Sequence, residues 1–186
     1  MLSEKQFRER ATRELRAIGS QVQGLISDRE LYRRLEREVV EANSDLAGNS
    51  NAFLEFVRGA YADATIMRLR RLLAHEASLS LRRTIVQISD YPDLLQEKVN
   101  TREIAEDATA LDKMGAHLKE QVEPHFVSRE RTTGALAPTL REVDRALDLV
   151  AAMLKKYYWI LSEGHVDLEP KFSGDPLDVF RKAWVK

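Results

Sequence analysis

Residues 52–74 read AFLEFVRGAYADATIMRLRRLLA, and this stretch decides the fold class. At the 3.6-residue spacing of an α-helix, its apolar residues fall into three stripes that cover nearly the whole circumference. The stripes are Phe53, Phe56, Val57, Ala60, Ala64 and Met67; Leu54, Tyr61, Thr65 and Leu72; and Ile66, Leu69 and Leu73. A helix that is apolar nearly all round is usually buried. We therefore expect residues 52–74 to form the central helix of an all-α protein.

The N-terminal part of the chain shows the same helical periodicity. Its apolar stripe consists of Phe7, Ala11, Leu15, Ile18, Val22 and Leu25. Ser3 with Gln6 three residues later is a capping-box pattern, which predicts the start of this helix. Ser27 with Glu30 repeats the pattern, so a second helix or a kinked continuation is expected there. Together these signals predict an N-terminal helical hairpin over residues 1–49.

The C-terminal third contains the clearest helix. Thr139 and Glu142 form another capping box after Pro138, and an apolar residue then recurs every three to four positions. These apolar residues are Val143, Leu147, Val150, Leu154, Tyr157 and Leu161. Gly164 is expected to end the helix. The tail, 165–186, is expected to be mostly extended, with Leu177, Phe180 and Trp184 packing on the bundle as one short apolar turn.

The segment between these helices is less regular. Ser78 or Ser80 is expected to start a short helix that runs to Ile88, and residues 93–108 predict one or two short helices. A helix over about 109–122 should end before Pro124, since the residue before a proline avoids helical geometry. The stretch 125–138 is expected to be a loop. Because the long helices can lie side by side, we predict one antiparallel helical bundle over 1–186, with its core at 50–164.

Composition excludes several classes of function. The chain has 186 residues, 44% of them apolar and 32% charged, a net charge of −1 and no cysteine. It therefore has no disulfide, no thiolate metal site and no overall field that would attract nucleic acid. The charged N-terminus lacks the apolar run of a signal peptide, and no segment is long and apolar enough to cross a membrane. We expect a cytoplasmic protein with no membrane partner.

Motifs for common cofactors and metals are also absent from the sequence. There is no glycine-rich phosphate loop, no HExxH zinc pair and no Glu-x-x-His pair of the di-iron bundles. The four histidines do not show metal-ligand spacing, and no serine lies in a G-x-S-x-G elbow. We therefore predict neither a metal site nor a cofactor.

The charges on the central helix permit two interpretations. Asp63, Arg68, Arg70 and Arg71 lie in a segment otherwise suited to burial, where an unpaired ion is costly. In the plainer interpretation, Asp63 and Arg70 form an internal salt bridge two turns apart. In the other, the helix is the floor of an anion-binding site in which Arg68 and Arg71 bind phosphate, with Arg82 and Arg83 of the next helix nearby. Arginine suits phosphate because its planar guanidinium fork donates two hydrogen bonds at once.

The segment 122–131, VEPHFVSRER, contains the best candidate for proton transfer. His125 follows the proline at which a helix is expected to end, and a histidine exchanges protons near neutral pH. Arg129 and Arg131 follow closely and could hold a phosphate beside it. The plainer interpretation is a loop histidine near a helix C-terminus, with solvated arginines. The run Tyr157-Tyr158-Trp159 could stack on bases, but its helical register favours packing.

The order of these elements resembles the HEPN-like proteins of the abortive-infection U branch. The resemblance covers roughly residues 50–186 and rests on several diffuse elements. They are AYADATIMRLRRLL at 60–73, SLSLRRTIVQI at 78–88, PHF at 124–126, APTLREVDRALDLV at 137–150, KYYWIL at 156–161 and DPLDVFRKAWV at 175–185. The resemblance implies a helical bundle that tends to form homodimers.

In the wider superfamily, the active site is an arginine followed, after four to six residues, by a histidine. Such sites cleave RNA without metal. His125 matches that histidine, but upstream of it Lys119 is the only basic residue of the stretch 118–121. The resemblance therefore implies either that Arg129 or Arg131 substitutes for the arginine, or that the chain is not a nuclease.

Three functions follow as expectations. The first is an RNA- or nucleotide-binding protein of phage defence or toxin–antitoxin type, with metal-independent RNA cleavage through His125 and Lys119. The second is a non-catalytic interaction module that forms a homodimer or binds a cognate defence or antitoxin protein. The third is a bundle that binds a small molecule at Asp63 and Arg70.

Overall fold

The fold is an all-α bundle, as predicted. The computed structural model describes residues 3–42, 52–95, 99–127 and 140–178, and their side chains except at 39–42, 52–53 and 121–127. The helices are α1 (Glu4–Ala42), α2 (Ala52–Leu73), α3 (Leu81–Ile88), α4 (Thr101–Val127) and α5 (Leu140–Ser162), and a 3-10 turn spans Pro92–Leu95. Within these described ranges no β-strand occurs.

Polar contacts show that three neighbouring pairs of helices run antiparallel: α1 with α5, α1 with α2, and α4 with α5. Along α1 and α5, Arg16 contacts Tyr158, Arg29 contacts Asp148 and Arg33 contacts Asp144, so one number rises as the other falls. The same reversal relates α1 to α2, through the pairs Arg58–Glu36 and Arg68–Asp28. It also relates α4 to α5, through Lys156–Glu103 and His117–Glu142. Antiparallel packing follows, as expected for long neighbouring helices of one bundle.

The core consists of the stripes that the sequence predicted for α1 and α5. Every member of the α1 stripe from Phe7 to Leu25 is buried, and so is every member of the α5 stripe from Val143 to Leu161. At the N-terminus the predicted capping box is present. The Ser3 amide donates to Gln6 Oε1 at 3.0 Å, and the Gln6 amide donates to Ser3 Oγ at 3.3 Å. Ser80 caps α3 in the same way, because its hydroxyl accepts from the Arg83 amide at 3.1 Å.

The predicted hairpin over 1–49 is wrong, since α1 is one continuous helix of 39 residues. Ser27 does not cap a second helix. Its hydroxyl instead donates to the Gln23 carbonyl one turn back, at 2.9 Å, an alternative that serine also satisfies inside a helix. The same oxygen accepts the Lys171 amide at 3.0 Å, so this serine attaches the tail to α1.

Helix α4 begins earlier and ends later than the sequence predicted. It starts after Asn100, whose side chain accepts the Glu103 amide at 2.8 Å, and it incorporates most of the stretch considered ambiguous. It also continues through Pro124 to Val127. Pro124 lacks the N–H that would bond the Glu120 carbonyl, so one hydrogen bond of the ladder is lost, and the helix continues for only three more residues.

The central helix α2 is only half buried, contrary to expectation. Its inner face, which includes Ile66, Leu69 and Leu72, is fully covered by the neighbouring helices. On the outer face, however, Phe56 is 72% exposed and Met67 is 55% exposed. The stripe predicted around Phe56 therefore forms a surface. Helical periodicity alone cannot distinguish a core face from an apolar surface.

The described part of the tail lies along α1. Gln23 donates to the backbone carbonyls of Asp167 and Glu169, each at 3.2 Å, and Arg34 pairs with Asp175 at 3.1 Å. Leu177 is buried, as predicted. Phe180 and Trp184, the other members of the predicted apolar turn, lie outside the described residues.

Candidate functional site

The most promising site is a groove between the C-terminal half of α2 and the middle of α4. We call it the α2–α4 groove, and its volume is about 510 Å³. It is lined by Met67, Arg70, Arg71, Leu73 and Ala74 of α2, and by Asp112, Gly115, Ala116 and Lys119 of α4. The volume is within the range of ordinary ligand sites.

Small residues shape the floor of the groove. An added Cβ at Gly115 would lie 3.6 Å from Leu73 Cβ, so the two helices approach closely at this point. Ala74 and Ala116 present only methyl groups on either side. The result is a shallow apolar floor whose polar groups stand at its edges.

The charges of the groove are predominantly positive. Three cations line it, and the only carboxylate in its lining is that of Asp112. Arg82 of α3 holds this carboxylate in a bidentate pair, with Nε to Oδ1 and Nη2 to Oδ2 both at 3.0 Å. Because Arg82 already pairs with Asp112, this carboxylate does not neutralise Arg70 or Arg71.

Arg70 and Arg71 are the cations available to a ligand. Among the described residues, neither guanidinium makes a side-chain hydrogen bond or ion pair. Arg71 is exposed and Arg70 is half-buried. Lys119 is exposed on the facing helix and has a contact of its own. Two arginine forks opposite a lysine can bind a phosphate group from both sides.

The structure brings two of the predicted site residues together and separates a third. Arg71 and Lys119, predicted independently, line the same groove. Arg68, which was also predicted to bind phosphate, does not line this groove and faces α1. There it forms an ion pair with Asp28 and donates to the Gln21 carbonyl at 3.4 Å. Arg68 lies two residues before Arg70, and each residue rotates the side-chain position by about 100° around the helix. The Arg68 side chain therefore points away from the groove.

The remaining predicted residues are described only in part. His125 belongs to α4, six residues after Lys119, and not to a loop. Its side chain lies outside the described set, and Arg129 and Arg131 lie outside the described residues altogether.

The predicted salt bridge between Asp63 and Arg70 does not form. Asp63 is exposed, and neither residue has an ion pair in the described part of the chain. Of the two residues predicted to bind a small molecule, Arg70 lines the α2–α4 groove and Asp63 does not.

The aromatic run Tyr157-Tyr158-Trp159 is mainly structural. Tyr157 and Tyr158 are buried, while Trp159 is 43% exposed. The Tyr157 hydroxyl donates to Asp107 Oδ2 at 2.8 Å, and Lys156 Nζ lies 2.6 Å from the same oxygen. Burial raises the pKa of Tyr157, and the hydrogen bond to Asp107 and the charge of Asp107 raise it further. This network fixes α5 against α4.

Arg70 is the groove residue whose role the sequence analysis missed. A signal for it exists in the spacing, because residues 67, 70, 71 and 74 share one helical face at i, i+3, i+4 and i+7. Taken with the outer stripe of α2, this spacing would have indicated a cationic end to an apolar surface.

Three further tests give negative results. Among the described residues, no group of three or more histidine, aspartate or glutamate side chains could hold a metal ion. No helix in the described ranges combines the length and apolarity needed to cross a membrane. Comparisons with protein-family models, curated proteins and solved structures find no match to this chain.

Proposed function

We propose that this protein binds RNA through phosphate contacts in the α2–α4 groove. The observation that carries the proposal is the pair Arg70 and Arg71, which line the groove without a carboxylate partner in the described part of the chain. Most arginines at the helix contacts described above are paired with aspartate or glutamate. Two adjacent arginines opposite a lysine have the chemistry of a phosphodiester backbone site.

The proposed context is a HEPN-like protein of phage defence or toxin–antitoxin type. The sequence resemblance supports it, and so does the all-α bundle in which α4 carries both Lys119 and His125. At 1.5 Å per residue, His125 lies about 9 Å beyond Lys119 along the helix axis. A strand bound in the groove would therefore need to extend only about two nucleotides to reach the end of α4.

Cleavage, as proposed here, is independent of metal. His125 accepts the proton of a ribose 2′-hydroxyl, and the 2′-oxygen attacks the adjacent phosphorus. The P–O5′ bond breaks, the 5′-oxygen leaves with a proton, and a 2′,3′-cyclic phosphate remains. Arg71 and Lys119 hold neighbouring phosphates of the same strand in the groove.

The binding proposal can be tested through the salt dependence of RNA affinity. The affinity of a short single-stranded RNA is measured by fluorescence anisotropy between low and physiological salt. Each phosphate contact contributes about 0.7 to the slope of log affinity against log salt. Three contacts give a slope of about −2, and a variant with Arg70→Ala and Arg71→Ala should retain about −0.7.

A matched control removes the same charge elsewhere. Arg8→Ala with Arg13→Ala on α1 lowers the net charge by the same two units, outside the groove. This control should keep the full slope. Equal slopes in the two double variants would show that the groove is not the RNA site.

Cleavage has a separate test. RNA is incubated with the wild-type chain and with His125→Ala, each with and without a chelator, and products are resolved on a gel. The proposal predicts cyclic-phosphate ends that persist with chelator and disappear in His125→Ala. RNA binding without any cleavage would leave the binding proposal standing and remove the catalytic one.

The second candidate function is an interaction module, and the outer face of α2 favours it. Phe56 and Met67 are the two most exposed large apolar side chains in the described residues, and the small residues Ala60 and Ala64 lie between them. Glu55 precedes this face and Arg71 follows it. Two copies of α2 packed antiparallel about a two-fold axis would bring Glu55 of each to Arg71 of the other.

This module would be a homodimer in which the α2–α4 groove of one copy lies next to the α2–α4 groove of the other. Sedimentation velocity should show a dimer for the wild type and a monomer for Phe56→Glu, while Phe172→Glu on the tail should remain dimeric. If Phe56→Glu has no effect, the outer face of α2 is not the dimer interface. A monomeric wild type would instead leave this face to a different protein, such as a cognate defence or antitoxin partner.

A further inference from the structure

A second groove lies between α1, α2 and the N-terminal half of α5. We call it the α1–α5 groove, and its volume is about 460 Å³. Its lining includes the stacked rings of Tyr32 and Tyr61, whose centroids are 4.9 Å apart and whose planes differ by 4°. It also includes Arg141 and Arg145 of α5. This groove is separate from the proposed RNA site, and the sequence predicted no function for it.

The Tyr61 hydroxyl is the first indication of a ligand. It is buried and makes no hydrogen bond of normal geometry among the described residues, although the Thr65 side chain lies close enough to lower its pKa. Buried polar groups in native proteins nearly always have a partner, so each exception requires an explanation. A hydroxyl that faces a groove can acquire its partner when a ligand binds there.

The acid–base state of Tyr61 suits a donor. Burial raises the pKa of its hydroxyl to about 12, and the negative charge of Asp144 contributes in the same direction. The positive charge of Arg29 opposes this shift. The hydroxyl therefore keeps its proton throughout the physiological range and can donate it to an oxygen or nitrogen of a ligand.

The charges of the α1–α5 groove indicate which ligands it can accept. It contains three carboxylates, and each one is already paired with an arginine. The pairs are Arg29–Asp148 at 2.6 Å, Arg33–Asp144 at 2.6 Å and Arg58–Glu36 at 3.0 Å. Arg141 and Arg145 are exposed one turn apart, and the structure shows no hydrogen bond or ion pair for either side chain within the described ranges. The unpaired charge of the groove is therefore positive.

Helix α5 adds to this positive charge. The groove includes Leu140 and Arg141, the first residues of the helix, where its dipole is positive. The salt bridges between α1 and α5 meanwhile hold the groove walls in place, so a ligand would find a site that is largely formed in advance.

We propose that the α1–α5 groove binds a small phosphate ester of about the size of a mononucleotide. Arg141 and Arg145 hold the phosphate at the groove mouth, and the buried Tyr61 hydroxyl donates to an acceptor on the organic part. A phosphate alone would satisfy the arginines and leave Tyr61 without a partner. A volume of about 460 Å³ accommodates the larger molecule.

The proposal is tested by isothermal titration calorimetry on the full chain, with adenosine monophosphate and inorganic phosphate as probes. Arg141→Ala with Arg145→Ala should weaken both probes. Tyr61→Phe should weaken the nucleotide about tenfold, which corresponds to one hydrogen bond, and should not change the affinity of phosphate. Arg8→Ala with Arg13→Ala is the charge-matched control and should bind both probes as the wild type does.

The stability of Tyr61→Phe provides an independent measurement. Because this variant removes a buried hydroxyl that has no partner, its melting temperature without ligand should equal or exceed that of the wild type. A lower melting temperature would mean that the hydroxyl already has a partner within the protein, and would overturn the proposal. No binding of the nucleotide at millimolar concentration, or equal affinity in Tyr61→Phe and the wild type, would overturn it as well.

Discussion

The substitution Tyr157→Phe should make the protein less sensitive to alkaline pH. Tyr157 is fully buried, and its hydroxyl donates to Asp107 at 2.8 Å. Burial is the main cause of its raised pKa, and the hydrogen bond to Asp107 and the charge of Asp107 act in the same direction. The folded protein therefore keeps this proton at a pH where the unfolded chain loses it.

The sign of the effect follows from proton linkage. An unperturbed tyrosine titrates near pH 10. Above that pH the unfolded state binds one proton fewer than the native state at Tyr157, so the free energy of unfolding falls as the pH rises. The contribution is fully present below about pH 10, and the loss is about 1.4 kcal/mol for each pH unit above it. Burial raises the pKa of Tyr61 to about 12, so Tyr61 adds a similar loss between about pH 10 and 12.

Urea unfolding at pH 8 and pH 11 measures this difference. At pH 11 the two tyrosines together should lower the free energy of unfolding by about 2.8 kcal/mol relative to pH 8. Tyr157→Phe should reduce this pH-dependent loss by about 1.4 kcal/mol. At pH 8 the same variant should lose about 1 kcal/mol, because Asp107 keeps its contact with Lys156.

Two controls separate the tyrosines. Tyr61→Phe should remove about as much as Tyr157→Phe, and the double variant should keep only the loss that comes from Tyr32 and Lys156, whose pKa values are also raised. Tyrosine ionisation can also be followed directly by ultraviolet absorbance in native and unfolded protein. If wild type and Tyr157→Phe show the same difference between pH 8 and pH 11, Tyr157 titrates normally in the folded state and the reasoning is refuted.

Three further substitutions test the packing, all by urea unfolding. Leu154→Ala, at a fully buried position of α5, should cost about 2–5 kcal/mol, and a loss below 1 kcal/mol would mean that the core can collapse onto the gap. Arg68→Ala should cost less than about 1 kcal/mol, because its ion pair is half exposed, and it should leave RNA affinity unchanged. Gly24→Ala should stabilise α1 by up to about 1 kcal/mol, because its Cβ would meet only the mobile end of the Arg68 side chain. Gly19→Ala should gain less, since its Cβ would lie 2.9 Å from Val166 Cγ2 and displace the tail; an equal gain in both variants would refute this difference.

The sequence predicted best those helices that have one apolar face. The α1 and α5 stripes were identified correctly because their residues recur at the helical period and their other faces are polar. The capping box at Ser3 was also found, and Ser80 was one of two serines expected to start α3, because the Ncap signal is local. Both features are defined by residues that are close in sequence, so they can be predicted without knowing the tertiary contacts.

Features that depend on tertiary contacts were predicted less well. Ser27 has the sequence of a cap, yet its side chain bonds within the helix and to the tail. Pro124 should end a helix, yet it lies in the last turn of α4. For α2, three apolar stripes predicted full burial, but α1, α3, α4 and α5 cover only its inner side. For Ser27 and for α2, the groups that decide the outcome are distant in sequence.

Four consecutive residues of α2 show the same difference between what local sequence predicts and what tertiary contacts decide. Arg68, Leu69, Arg70 and Arg71 differ little in local context, yet Arg68 pairs with α1, Leu69 enters the core and the other two line the α2–α4 groove. Rotation by about 100° per residue separates them. Which arginine is available to a ligand depends on where aspartates of other helices lie, and sequence spacing does not report this.

The net charge of −1 therefore says little about anionic partners. Aspartates 28, 112, 144 and 148 are all held by arginines of other helices, so these acidic charges are neutralised locally. Among the described residues, each of the two grooves contains a pair of arginines without a carboxylate partner, and this is the charge that a bound anion would meet. Its field should be felt only within about one Debye length, roughly 10 Å at 0.1 M salt. An anion would then be bound by contacts in the groove and not steered from a distance, so salt should act on the dissociation rate more than on the association rate. Stopped-flow measurements of both rates for RNA would show this, and a steep salt dependence confined to association would contradict it.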